Sequence, residues 1–278
     1  TLPAGDTGVI VTDTLLSLGG IGTLELAGAP VITLGSGVSA SNPNPGLVQT
    51  DTNGDGIADR LVWDFGTVNF TGGGDNHIII SVAARVADVA PNANGDLLNL
   101  PAILDYAYGN VVDAIAVDIV EPELGIEKIV TPVIGDAGVV VGYQVTIRNL
   151  GNGPAYDLAL TDISHPGLLP QGGATVLAGG TSTVFASVND VVVSRLLPGE
   201  VAIVTYAAVI ADSVLVGTEL PNTVSTPYDS LPGADTAERP YAPVADDAVV
   251  TVVPATEVTL TATPFTCLYG YPRPVRLQ

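Results

Sequence analysis

The residues best placed to do chemistry begin with the run Asp51-Thr-Asn-Gly-Asp-Gly-Ile-Ala-Asp59. Acidic or amide side chains at its first, third, fifth and ninth positions (Asp51, Asn53, Asp55 and Asp59) are spaced to wrap a hard cation. Gly56 permits the tight turn, and the carbonyl of Ile57 adds a ligand. An all-oxygen set of this kind favours calcium as the cofactor. The twelfth position is Val62, so the bidentate Glu of a helical calcium hand is missing, and no helical periodicity flanks the run. The same spelling also suits an ordinary Asn/Asp/Gly turn cluster. As a calcium loop, its expected role is to stiffen the stretch before a strand at Arg60–Phe65.

The other reactive groups are scattered. His77 and His165 are the two histidines, both at turn positions, and they lack the Cys and His partners of a zinc site. Gly72-Gly-Gly74 has no Lys to make it a phosphate loop. Asp246-Asp247 reads as a solvated pair at a strand entrance. Trp63 with Phe65 spells either a sugar platform or, at strand spacing, a sandwich core. Asn69-Phe-Thr71 matches the N-glycosylation acceptor pattern at Asn69. Cys267 is the single cysteine, which excludes an internal disulfide. No catalytic constellation emerges, and the expectation is a protein that is not an enzyme.

The elements that hold these residues are strands. Val, Thr, Ile and Ala dominate, and β-branched residues suit pleated, half-buried surfaces. With 278 residues and 47 % hydrophobic content the chain can bury two ordinary cores and is too apolar for disorder. Its formal net charge is −21, from one Lys and seven Arg against 29 acids. Such a surface repels nucleic acid and anionic membrane, and neither is expected as a partner. No stretch reaches membrane-spanning length without Pro or polar breaks.

The chain repeats itself. Asn76–Asp88 (NHIIISVAARVAD) matches Glu200–Asp212 (EVAIVTYAAVIAD), and Val9–Asp13 matches Leu158–Asp162. Asp113–Pro122 matches Asp247–Pro254, and Gly95–Asn99 matches Gly217–Asn222. In the second copy strands are predicted at Gly125–Thr131, Gly138–Asn149, Tyr156–Asp162, Val184–Val188, Val201–Ala211, Glu219–Thr226 and Asp247–Val253. The first copy carries a long insertion with the 51–59 loop and lacks the opening strands. Pro254–Pro264 aligns with Pro122–Pro132 and spells the first strand of a further unit. The predicted fold is all-β, in tandem sandwiches: 1–122 incomplete, 123–254 complete, and 255–278 a tail like the start of another repeat.

The second copy resembles the domain-of-unknown-function 11 (DUF11) repeat of bacterial and archaeal surface proteins. The residues carrying the resemblance are Lys128, Gly135-Asp136, Tyr143-Gln-Val-Thr-Ile147, Asn149-Leu-Gly151, Thr161-Asp162, Leu197-Pro-Gly-Glu200 and Asn222, in order across Glu123–Pro254. The resemblance implies immunoglobulin-like β-sandwiches in large extracellular, cell-surface proteins without established catalytic activity. It also implies that Lys128 and Asn222 are positions for an internal isopeptide bond, with Asp162 as the polarising acid. An ordinary edge-strand Lys beside a hydrogen-bonded turn Asn is the other reading. In the first copy Asp13 and Asn99 match, but no Lys-bearing strand does, and the tail has Leu260 where Lys would stand.

Two functional expectations follow. One is a structural repeat of a surface layer, stalk or filament, a mature or excised segment of a secreted protein. Its partners are neighbouring repeats or copies of itself joined head-to-tail, with Glu257, Val258, Thr259, Leu260, Thr261, Ala262 and Thr263 entering the incomplete unit of the next copy. The other is a calcium-dependent adhesin or carbohydrate-binding module contacting glycans through the insertion and Trp63.

Overall fold

The computed structural model describes the backbone of residues 6–14 and all of 24–52, 54, 56–70, 73–89, 92–235 and 238–255. Asn53, Asp55, Cys267 and the expected assembly strand Glu257–Thr263 lie outside them. The regular structure of the described chain is nearly all strand. Its one helical segment among those residues is a single 3-10 turn, Val188–Asp190, and no helix is long and apolar enough to cross a membrane.

The first unit comprises β1 (Asp6–Thr14), β2 (Leu24–Leu26), β3 (Val31–Leu34), β4 (Val38–Ala40), β5 (Val48–Thr50), β6 (Arg60–Phe70), β7 (Ile78–Ser81), β8 (Ala84–Val86), β9 (Leu97–Tyr106) and β10 (Gly109–Asp118). Its main sheet runs β10-β9-β1-β6-β4, with β5 also on β6; the ladders β2–β8 and β3–β7 form the other layer. Strand β6 shows why the layers meet. Its alternate residues Leu61, Trp63 and Phe65 are buried, and with Leu24, Val68, Leu98 and Leu100 they form one core. Trp63 is 1 % exposed and Phe65 0 %, so the sandwich core is the correct reading of the pair and a sugar platform is overturned.

The second unit comprises β11 (Leu124–Thr131), β12 (Ile134–Gly135), β13 (Val140–Asn149), β14 (Ala155–Ala159), β15 (Thr161–Ser164), β16 (Leu168–Ala178), β17 (Thr181–Phe185), β18 (Val192–Leu196), β19 (Val201–Ile210), β20 (Glu219–Asp229) and β21 (Pro240–Val252). One sheet runs β11-β13-β19-β16-β17. The facing sheet runs β12-β21-β20-β14-β18, with β15 also on β20. Three of these strands (β12, β16 and β18) escape sequence reading; the expected strand Tyr156–Asp162 is divided between β14 and β15, and Val184–Val188 overlaps β17 only at Val184 and Phe185. β16 is interrupted by Gly172-Gly173, where the register with β19 shifts between Gln171 and Thr175. Gly172 has φ +71°, and a Cβ on Gly173 would sit 2.0 Å from the Phe185 carbonyl oxygen. The glycines that read as a loop are the bulge of a strand.

Both units are immunoglobulin-like β-sandwiches, and among the described residues the first shows no counterpart of the β11–β13 pair. In the second, β19 lies between β16 and β13, and β11 pairs along β13. In the first, β7 and β8 carry the sequence that matches β19, yet among the described residues they pair only with β3 and β2. Among the described residues strand β10, matching β21, pairs only with β9.

Candidate functional site

The site lies inside the second sandwich, in a polar layer between two apolar clusters. Each strand contributes through its alternation. On β11, Lys128 falls on the inward side between Ile126 and Val130; on β13, Tyr143 lies between Val141 and Val145. On β20, Asn222 sits between buried Leu220 and Val224; on β19, Tyr206 sits between Val204 and Ala208. Lys128 and the two tyrosines therefore come from one sheet, Asp162 (on β15) and Asn222 from the other.

The chain's only lysine is buried. Its side chain is 0 % exposed, and Nζ donates to Asp162 Oδ1 at 2.5 Å, with the Asp side chain 5 % exposed. The same carboxylate oxygen accepts from Tyr206 Oη at 2.6 Å. Asn222 Nδ2 donates to Tyr206 Oη at 3.3 Å. Lys128 and Asn222 are thus joined through one carboxylate and one phenol. The Tyr143 and Tyr206 rings stack at 5.2 Å and 16°, and Lys128 Nζ lies 5.1 and 5.6 Å from their centroids, within cation–π range. Asn222 is 1 % exposed and its Oδ1 accepts no hydrogen bond. Tyr143 Oη is also without a hydrogen bond of good geometry, although the Asn222 amide is close enough to influence its ionisation.

The surroundings hold the acid in place. Asn189, at the centre of the 3-10 turn, brackets the Asp162 backbone: its Oδ1 accepts from Asp162 N at 2.5 Å and its Nδ2 donates to Asp162 O at 3.3 Å. Lys128 N donates to Asp246 Oδ2 at 2.7 Å. This corrects the expectation for Asp246, which is not a solvated residue at a strand entrance but a mid-strand residue of β21 that ties down β11. A cavity of about 130 Å³ borders Asp162, Tyr206, Asn222 and Asn189.

Burial pushes the Lys128 amine below its ordinary value, against the opposing pull of the Asp162 contact and of Asp246 and Asp247. Desolvation raises both phenols, Tyr143 to about 12 and Tyr206 further upward, the latter helped by the Asp162 hydrogen bond. Both therefore keep their protons at neutral pH. An amine weakened as a base, a buried acid and a desolvated carboxamide are the reactants of amide exchange.

The structure brings Lys128, Asp162 and Asn222 together. Tyr206 is the residue that sequence reading missed. The repeat held a signal for it: the matching position of the first copy is Val82, so a phenol replaces an aliphatic side chain at an inward strand position.

The other expected sites lie elsewhere. Asp51 accepts from the N–H groups of Gly54 and Gly56 at 2.6 and 2.9 Å. Asp59 is 0 % exposed and takes Thr52 N at 3.0 Å and Thr52 Oγ1 at 2.7 Å. Both carboxylates are engaged by donors of their own loop; Ile57 is half-buried beside them. Among the described residues no three His, Cys, Asp or Glu side chains converge to hold a metal ion. Asn69 is exposed, but on strand β6 opposite Ser39. His77 is exposed, and His165 Nδ1 accepts from Gly167 N at 2.9 Å in its turn.

No protein-family model and no curated protein matches the chain. Among solved structures it is similar to the N-terminal domain of the Streptococcus gordonii adhesin Sgo0707, at 12 % identity and TM-score 0.32, over 89 % of this chain and 56 % of that one. The full-length major pilin RrgB of Streptococcus pneumoniae aligns at 13 % identity and TM-score 0.32, over 84 % and 44 %. BcpA, the major pilin subunit of Bacillus cereus, aligns at 12 % identity and TM-score 0.35, over 90 % and 65 %. The chain spans about half the length of the first two.

Proposed function

We propose that this chain is a structural segment of an extracellular surface assembly, and that its second sandwich is stapled by an isopeptide bond between Lys128 and Asn222. One observation carries the reading: the sole lysine is wholly buried against Asp162, one phenol away from a buried carboxamide with a free carbonyl oxygen. A charged pair so placed is a poor source of stability by itself, because desolvation offsets its attraction. As reactants the same groups have a use.

The ammonium passes a proton to Asp162, and the neutral Nζ attacks Asn222 Cγ. The new C–N bond forms, the Cγ–Nδ2 bond breaks, and Nδ2 leaves as ammonia. The product links β11 to β20, one strand from each sheet. By the chain-entropy argument used for disulfides, a tie closing a loop of roughly a hundred residues stabilises by about 4–5 kcal/mol. A chain with one cysteine has no internal disulfide to serve this purpose.

The test is intact mass under denaturing conditions. The wild type is expected one ammonia lighter than its sequence, with a fragment joining the β11 and β20 peptides. Lys128→Ala, Asp162→Ala and Asn222→Ala are expected at full mass. A wild type at full mass overturns the reading.

A second observation favours head-to-tail growth. Edge strand β10 exposes Val111, Val112 and Ile115 at 55, 55 and 67 %, an apolar edge of the kind that invites strand addition. We assign Glu257–Thr263 of a second copy as the strand added to this unit: its β11-like spelling supplies the alternation, and the outer edge of β10 is the place that β12 takes beside β21 in the second unit.

A further inference from the structure

The leaving nitrogen of Asn222 must acquire a proton before it departs, and Lys128 and Asp162 do not meet it directly in the hydrogen-bond chain. Only Tyr206 Oη touches both sides: it donates to Asp162 Oδ1 at 2.6 Å and accepts from Asn222 Nδ2 at 3.3 Å. Its partner in the stack, Tyr143, makes no hydrogen bond to the acid. The β13–β19 register sets the two rings directly opposite each other.

We propose that Tyr206 is a catalytic residue of this reaction, the relay that protonates the departing amide nitrogen. The inference rests on the isopeptide reading above. After Nζ has attacked, Tyr206 Oη gives its proton to Nδ2 and takes one from the Asp162 carboxyl. Asp162 then recovers a proton from the nitrogen that was Nζ. The tetrahedral carbon reforms its carbonyl and expels ammonia into the adjoining cavity, so every proton is accounted for within the chain. Burial keeps the Tyr206 phenol protonated, so its proton moves only as another arrives from Asp162.

The experiment follows ammonia loss by intact mass in chain translated cell-free and sampled over time, counting the protease-resistant fraction alone so that a folding defect does not enter the rate. Tyr206→Phe is expected to keep the ring stack and to slow the reaction roughly a hundredfold, the usual scale of general acid–base help. Tyr143→Phe is expected to react near the wild-type rate. The wild-type reaction in heavy water is expected to slow severalfold, a readout that needs no variant. If wild type and Tyr206→Phe lose ammonia equally fast, the relay is overturned and the isopeptide reading stands. Equal slowing by Tyr143→Phe, or an unchanged rate in heavy water, also overturns the relay. If the wild type never loses ammonia, the underlying reading fails with it.

Discussion

An amine attacks a carboxamide only through its free lone pair, which makes the protonation of Lys128 the controlling variable of the site. Burial lowers its pKa from the ordinary 10.5. A base whose folded value is depressed is populated as the neutral amine at lower pH than in the unfolded chain. The reaction starts from the Lys128 ammonium and needs its proton on Asp162, so the rate of ammonia loss is expected to fall as pH rises through the folded Lys128 value, below 10.5, and the site gives that proton up to solvent. Time courses of intact mass across that range check this, and a flat profile would sink the role assigned to the amine. Three of the four linked residues were suggested by motif, because Lys128, Asp162 and Asn222 occupy spelled positions of the resembled repeat. Tyr206 was not, since nothing in a strand's alternation distinguishes a core tyrosine from one wired to an acid 44 residues away. The 51–59 loop shows the converse. Its spacing announces acidic ligands and leaves unsaid that Asp59 accepts from Thr52, a choice of partner that spacing does not encode.

Among the elements, the turn after β13 shows what the Asn149-Leu-Gly151 spelling is for. Asn149 is 0 % exposed. Its Nδ2 donates to the carbonyls of Gly153 and Leu196 at 2.8 and 2.9 Å, while its Oδ1 accepts from Gly151 N at 3.0 Å. Gly151 itself has no room for a Cβ, which would stand 2.4 Å from Glu121 O. Asn149→Ala leaves these backbone groups without their partner, and a loss of about 2–4 kcal/mol is expected. Urea unfolding measures it, and a change under 1 kcal/mol, about the net worth of one ordinary hydrogen bond, would refute the hub. Strand existence was legible wherever inward and outward residues alternate cleanly, as in β13, β19 and β20. It was illegible in β16, where glycines build a bulge, and in β12, whose two residues are held as a strand by β21 alone.

At the scale of the molecule, no ladder joins the two sandwiches; their described sheets are built from separate stretches of chain. Side chains join them instead. Arg239 of the second reaches Asp88 at 2.5 Å, the carbonyls of Asn92 and Val89 at 2.9 and 3.2 Å, and Glu121 in the connector. A guanidinium fork with partners on both sides pins this junction through charge-assisted hydrogen bonds. Assembly is the prediction that belongs here. Wild-type chain is expected to form larger species in sedimentation as its concentration rises, and a chain without 257–263 is expected to remain single. Undiminished association of the shortened chain would refute strand donation. The buried lysine reaches outward as well. Because no other lysine exists, closing the staple removes the last side-chain amine this segment can offer to aldehydes, acyl donors or sugars. Chemistry that decorates or couples this segment from outside then has to use other groups, such as hydroxyls, carboxylates, amides or the Cys267 thiol.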